Sequence, residues 1–224
     1  MNWRIIGVGL AILAIVIFGF SLAEPLSGAN VSANTQLDIP DEDISGYTRA
    51  IDAWDWQFPR DHGGHPDFQT EWWYYTGNVA TENGRRFGYQ FTVFRRAISP
   101  DTVVSDSEWR TDQIQMAHFT ISDITNEKFY HDVRYSRASA GLAGATADPV
   151  YHVWLEDWEV IAENDDATQQ HITANTPLFG LNVQLEQVKP PALQGDNGLS
   201  KKSDTVGNAS YYYSLSRLVT DGTL

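Results

Sequence analysis

From residue 68 onward, apolar and polar positions alternate with a period of two, or β-branched and aromatic residues cluster, between short turn signals. This pattern predicts an all-β chain. Eight segments read as strands: 71–80, 85–97, 113–122, 127–136, 151–161, 169–175, 179–187 and 210–220. Alternation is clearest in the second, where Phe87, Tyr89, Phe91 and Val93 share one face. Thr81-Glu82-Asn83-Gly84 places Asn-Gly at a tight hairpin between the first two strands. Eight antiparallel strands with mostly short connections predict an up-and-down barrel, and a two-sheet sandwich is the competing architecture. Two connections, 99–112 and 188–209, are long for a compact domain and are expected to carry function or lack order.

The N-terminus follows a different rule. Met1-Asn2-Trp3-Arg4 is a short basic start, 5–20 is an uncharged apolar run, and Ser21-Leu22-Ala23 offers the small residues a signal peptidase reads. Residues 1–23 are expected to be a cleaved export signal, or a retained anchor, since 5–23 is near the length that spans a bilayer. The expected location is periplasmic or secreted, with attachment to the inner membrane if the segment is uncleaved. Residues 24–57 read as a polar linker and 58–224 as the β domain.

Composition narrows the function classes. Fifteen Lys and Arg against 29 Asp and Glu give a net charge of −14, which repels phosphate backbones and argues against nucleic-acid binding. The absence of cysteine excludes disulfides, thiolate metal sites and cysteine nucleophiles. No residue pattern calls for a cofactor.

The chemistry concentrates in Gln69-Thr70-Glu71-Trp72-Trp73-Tyr74-Tyr75-Thr76-Gly77 and in the polar cluster just before it, Asp61-His62-Gly63-Gly64-His65-Pro66-Asp67. On a strand, Glu71, Trp73 and Tyr75 share one face, an acid aligned with two aromatic rings. Glu71 is either a general acid tuned by aromatic surroundings or a carboxylate paired with an inward arginine such as Arg95. Trp73 and Tyr75 either grip an unsaturated chain or pack the core. His118 shares a face with Ile114, Met116 and Thr120, as a core histidine or a pocket residue. His62 and His65 with Asp61, Asp67 and Glu71 have ligand types suited to zinc, but the spacing is not helical and Gly63-Gly64-His65-Pro66 reads as a polar loop, so no metal site is assigned. Tyr211 and Tyr213 share one face of the last strand, with packing or hydrogen bonding to a ligand as the alternatives.

Several of these residues also match a family. Phe58-Pro59, Asp61-His62, His65, Thr70-Glu71-Trp72-Trp73-Tyr74-Tyr75-Thr76-Gly77, Phe87-Gly88-Tyr89-Gln90 and Phe94-Arg95-Arg96 resemble the AttH/hydroxyneurosporene synthase family, which includes carotenoid 1,2-hydratases and kievitone hydratase. Ala117-His118-Phe119-Thr120, Leu155-Glu156-Asp157-Trp158, Lys189-Pro190-Pro191 and Ser210-Tyr211-Tyr212-Tyr213-Ser214 extend the match in order to about residue 222. The resemblance implies two consecutive lipocalin-like (calycin) barrels, of which 58–224 is the first. A second barrel, opening with Asp-His-(Glu/Gln)-Trp, is then the expected C-terminal partner. It also implies a hydratase acting on a hydrophobic unsaturated compound. Glu71 and His118 are the expected catalytic residues, and Trp73, Tyr75, His65, Tyr211 and Tyr213 the expected substrate-binding ones. The alternative is a non-catalytic carrier of a lipid or other apolar ligand.

Overall fold

A computed structural model describes residues 45–101 and 104–224. The expected export or anchor segment, and most of the linker, lie outside the described residues. No helix among the described residues is long and apolar enough to cross a membrane.

Fourteen strands form in the described residues, with one 3-10 turn, Arg60–His62. The first sheet is a four-stranded meander of β1 (Thr70–Ala80), β2 (Arg86–Ala97), β3 (Gln113–Asp123) and β4 (Lys128–Arg137). The second has six strands: β5 (Ala143–Thr146), β6 (His152–Leu155), β7 (Trp158–Ala162), β8 (Gln169–Asn175), β9 (Gly180–Gln187) and β14 (Leu218–Thr223), in the order β14-β9-β8-β7-β6-β5. Two short ribbons pair β10 (Ala192–Leu193) with β13 (Tyr213–Ser214) and β11 (Leu199–Lys201) with β12 (Ala209–Tyr211).

All pairings between these strands are antiparallel, as the alternation predicts. The expected closed eight-stranded barrel is corrected to two sheets, because the ladders stop at β1 and β4 on one side and at β14 and β5 on the other. Three local features account for the different strand count. Glu156, at φ +59°, turns the chain so that Leu155 pairs with Trp158, splitting the segment 151–161 into β6 and β7. The segment 210–220 breaks into three strands that pair with β11, β10 and β9 in turn. Strand β5 consists of Ala-Gly-Ala-Thr and has no apolar alternation to announce it. Its Gly144 leaves the space that the Trp154 ring occupies, and a Cβ there would collide with that ring.

The expected hairpin forms between β1 and β2, with Gly84 at φ +82° and Gly84 N–H donating to the Thr81 carbonyl at 2.8 Å. The register then aligns Glu71 with Arg95 and Trp73 with Val93. A one-residue slip would move every β1 side chain to the other face.

One apolar core fills the space between the sheets. Phe91, Phe119 and Val93 from the first sheet meet Trp158, Val160, Ile172 and Leu181 from the second. The Trp158 ring lies 5.6 Å from Phe119 and 6.3 Å from Phe91, both edge-on, and Arg134 stacks on it at 4.0 Å. The centre is therefore packed with side chains, and the functional groups collect toward one end.

Trp158 bridges the two sheets. Truncating Trp158 to alanine is expected to destabilise the fold by roughly 3–5 kcal/mol, as for other buried large aromatics. A urea unfolding curve checks this; a midpoint within error of the parent would show that the two sheets hold without it.

Candidate functional site

The site is built where the loop before β1 folds back over the ends of β1 and β2. A short 3-10 turn after Pro59 buries Asp61 and His62, and Gly63 and Gly64 let the chain pass close against 145–147. His65 follows, with its backbone N–H donating to Glu71 Oε2 at 2.9 Å and its Nδ1 lying 2.6 Å from Glu71 Oε1. Arg95, opposite Glu71 in the register, donates from Nε to Glu71 Oε2 at 3.2 Å. Its Nη2 donates to the carbonyls of His65 and Phe68 at 2.9 and 2.7 Å. Asp61 completes the group, 3.4 Å from His65 Nε2, and receives the Gln57 N–H, the Trp54 indole N–H and Arg60 Nε.

The electrostatics follow from these contacts. The Glu71 hydrogen bond raises the His65 pKa above the ordinary 6.5, and outweighs burial, which lowers it. Burial pushes the Asp61 carboxyl up, but hydrogen bonds led by that from Arg60 hold it below its usual value. The His65 side chain remains 24% exposed. It sits among aromatic rings, with Trp54 at 5.8 Å and Phe68 at 6.4 Å, and Tyr211 stands 5.0 Å from Trp54 and 5.7 Å from Phe68.

A second polar group lies deeper. His62 Nδ1 is 2.7 Å from the Tyr213 hydroxyl, and Phe58 and Tyr151 rings enclose it. Tyr75 donates to Gln170 Oε1 at 2.8 Å, and its hydroxyl is 2.8 Å from that of Tyr151. Burial raises the pKa of Tyr75, Tyr151 and Tyr213, so all three are neutral phenols at ordinary pH. Burial lowers His62 to about 4, so it is a neutral imidazole at pH 7.

The structure brings together Glu71, His65, Tyr75, Tyr211 and Tyr213 at this end of the fold. Trp73 belongs to the same wall, but its indole N–H is engaged by the His62 carbonyl at 2.8 Å and its ring is core. His118 is not part of the group. It lies on the face of β3 opposite Ala117 and Phe119, packed edge-on to Phe94 at 5.9 Å, which separates it from Glu71 by the thickness of the sheet. The expected core or pocket position of His118 is thereby corrected: the buried face of β3 carries Gln115, Ala117 and Phe119 instead. His62 and His65 turn to different partners, Tyr213 and Glu71, rather than to a shared point.

The Arg95 pairing with Glu71 is the one the sequence offered as an alternative for that carboxylate, whereas Tyr151 and Gln170 carry no local signal at all. Trp54 and Trp56, in the segment expected to be linker, pack into the site against Tyr211 and Tyr213.

The AttH-like family model matches residues 48–224. The chain belongs to the AttH-like family. Among solved structures, a Nitrosomonas europaea protein described as an AttH is 33% identical, with a TM-score of 0.66 over 78% of this chain and 51% of that one. The chain thus spans about half the length of this solved AttH relative. No curated protein matches. The match begins at Tyr47's neighbour Thr48, so it takes in the tryptophans that precede the Asp-His cluster as well as the strands.

His62 gives the AttH-like fold a defined acid sensitivity. Its folded pKa of about 4 lies below the unfolded 6.5, so the stability it supports is complete above pH 6.5 and is lost as pH falls toward 4. The loss corresponds to on the order of 3 kcal/mol. Denaturant titrations at pH 7 and pH 4.5 should show a smaller drop in His62→Gln than in the parent; equal drops would remove His62 as the cause.

Proposed function

We propose that this chain is the first lipocalin-like domain of an exported hydratase-like enzyme that adds water to a hydrophobic unsaturated substrate, with the His65–Glu71 pair moving the proton. The observation that carries the proposal is a 2.6 Å contact between His65 Nδ1 and Glu71 in a histidine that still reaches solvent. A carboxylate on one ring nitrogen holds the imidazole in place and favours its protonated form. The proton on Nε2, restrained only by the 3.4 Å contact to Asp61, is the one available for transfer.

Hydration of an alkene then proceeds in two balanced steps. The π bond takes the Nε2 proton to form a C–H bond and a carbocation. Water adds its oxygen to the cation and returns a proton to the imidazole. An imidazolium is a weak acid for an alkene, so the cation needs support. The rings of Trp54 and Phe68 beside His65, with Tyr211 packed against both, are the groups placed to supply it. A second lipocalin-like domain C-terminal to this one, and export or anchoring through residues 5–23, belong to the same proposal.

The alternative is a non-catalytic carrier of an apolar ligand. It is supported by the complete engagement of Glu71, whose two oxygens are taken by His65 and Arg95, as in a structural tie.

Incubation of the full-length protein with isoprenoid alkenes in heavy-oxygen water separates the two. The hydratase reading expects the label in an alcohol product, and kcat lower by about 10²-fold or more in His65→Gln and in Glu71→Gln. It also expects activity to persist above pH 6.5 and to decline only as His65 loses its proton at higher pH. Alkene returned unaltered favours carriage. Near-parental turnover in folded Glu71→Gln would sink the assignment.

A further inference from the structure

Beside the Arg95–Glu71 tie, at the seam where the first sheet meets β5 and β6, lies an open cleft of about 310 Å³. Its walls include Arg95 and Gln115 from β2 and β3, Ala143 and Ala145 from β5, Ala138, and the ring of Trp154. One side of this lining is small and apolar. Its polar side chains are Arg95, Gln113 and Gln115, and two of these are among the most deeply buried polar side chains, Arg95 at 2% and Gln115 at 1% exposure. Each has an atom without a hydrogen-bond partner: Arg95 Nη1 and Gln115 Oε1. Ser139 Oγ, next in the chain to Ala138, is a third.

Buried polar groups are almost always satisfied, and an unpaired guanidinium N–H is among the costlier exceptions. Arg95 uses Nε on Glu71 and Nη2 on two carbonyls, so the Nη1 donors are left for something else. The cleft is far larger than the roughly 30 Å³ share of one water and is at the lower end of small-molecule sites. Water can occupy its polar part, and the side lined by alanines and Trp154 has room for a short hydrocarbon body.

Charge selects the polar end of the occupant. Within the tie, Arg95 and His65 face one carboxylate, Glu71, while Asp61 is shared between His65 and Arg60. With His65 protonated, three cations meet two anions. The overall charge of −14 opposes an incoming anion at long range, but that field is screened beyond about 8–10 Å at physiological salt. The Gln115 amide presents an oxygen or, after a half-turn that leaves its heavy atoms in place, an N–H at the same point.

We propose that this cleft is a binding site for a small monocarboxylate, its head held by Arg95 Nη1 and the Gln115 amide and its short apolar body laid along Ala138, Ala143, Ala145 and Trp154. The site is independent of the hydratase reading. It requires no turnover, and it uses the face of Arg95 that Glu71 leaves free.

Calorimetric titration of the full chain with hexanoate, hexanamide and hexanol tests the site. Hexanoate should bind saturably with one site and at least tenfold more tightly than either neutral analogue of equal length. Gln115→Leu, which removes the amide, and Ala138→Leu, which fills the cleft without touching a polar group, should each weaken hexanoate at least tenfold while circular dichroism stays unchanged. If Gln115→Leu does not fold, Ala138→Leu alone decides. Hexanamide or hexanol binding as tightly as hexanoate, no saturable binding, or parental affinity in Ala138→Leu would each overturn the proposal.

Discussion

The tie between Arg95, Glu71 and His65 is the constraint on which the rest of the site depends. Arg95 reaches across the β1–β2 pair to the carboxylate opposite it, and then past it to the carbonyls of His65 and Phe68. One guanidinium thereby fastens the incoming loop to the sheet. Glu71 closes the same ring by accepting both the backbone N–H and the imidazole of His65. Removing one member leaves a buried charge without its partner, which generally costs about 3–5 kcal/mol. That asymmetry makes the group act as a unit.

Around the tie, the fold separates two environments. Between the sheets, aromatic and aliphatic side chains fill the space, and Trp158 links the two layers. At the end where the loop folds back, phenols, imidazoles and carboxylates replace them, and most satisfy one another. Tyr213 reaches His62, while Tyr75 reaches Tyr151 and Gln170 on the second sheet. Burial sets the protonation of this inner layer, with neutral tyrosines and a neutral His62. The Glu71 contact sets that of His65 in the opposite direction. Two histidines three residues apart are thus given opposite tendencies by their surroundings.

Much of this was legible in the sequence, for a physical reason. Strand periodicity depends only on which face is buried, so the shared face of Glu71, Trp73 and Tyr75, and Arg95 as a partner for Glu71, could be read from the sequence. The β1–β2 hairpin followed from Asn-Gly, where a positive φ is cheap. Other features were hidden because they depend on contacts between distant residues. The turn at Glu156 places a non-glycine residue at positive φ, and nothing local marks it. Strand β5 is held by pairing to β6 rather than by its own pattern. Trp54 and Trp56 looked like linker because their partners, Tyr211 and Tyr213, are more than 150 positions away along the chain. His118 was misplaced because Ile114, Met116 and Thr120 made its face resemble the buried one, whereas Gln115, Ala117 and Phe119 on the other face point into the core.

The most direct test of the central tie is the titration of the His65 ring by NMR, in the parent and in Glu71→Gln. The account predicts a pKa above 6.5 in the parent that falls when the carboxylate is replaced by an amide. A parental value at or below 6.5, unchanged by the substitution, would contradict it.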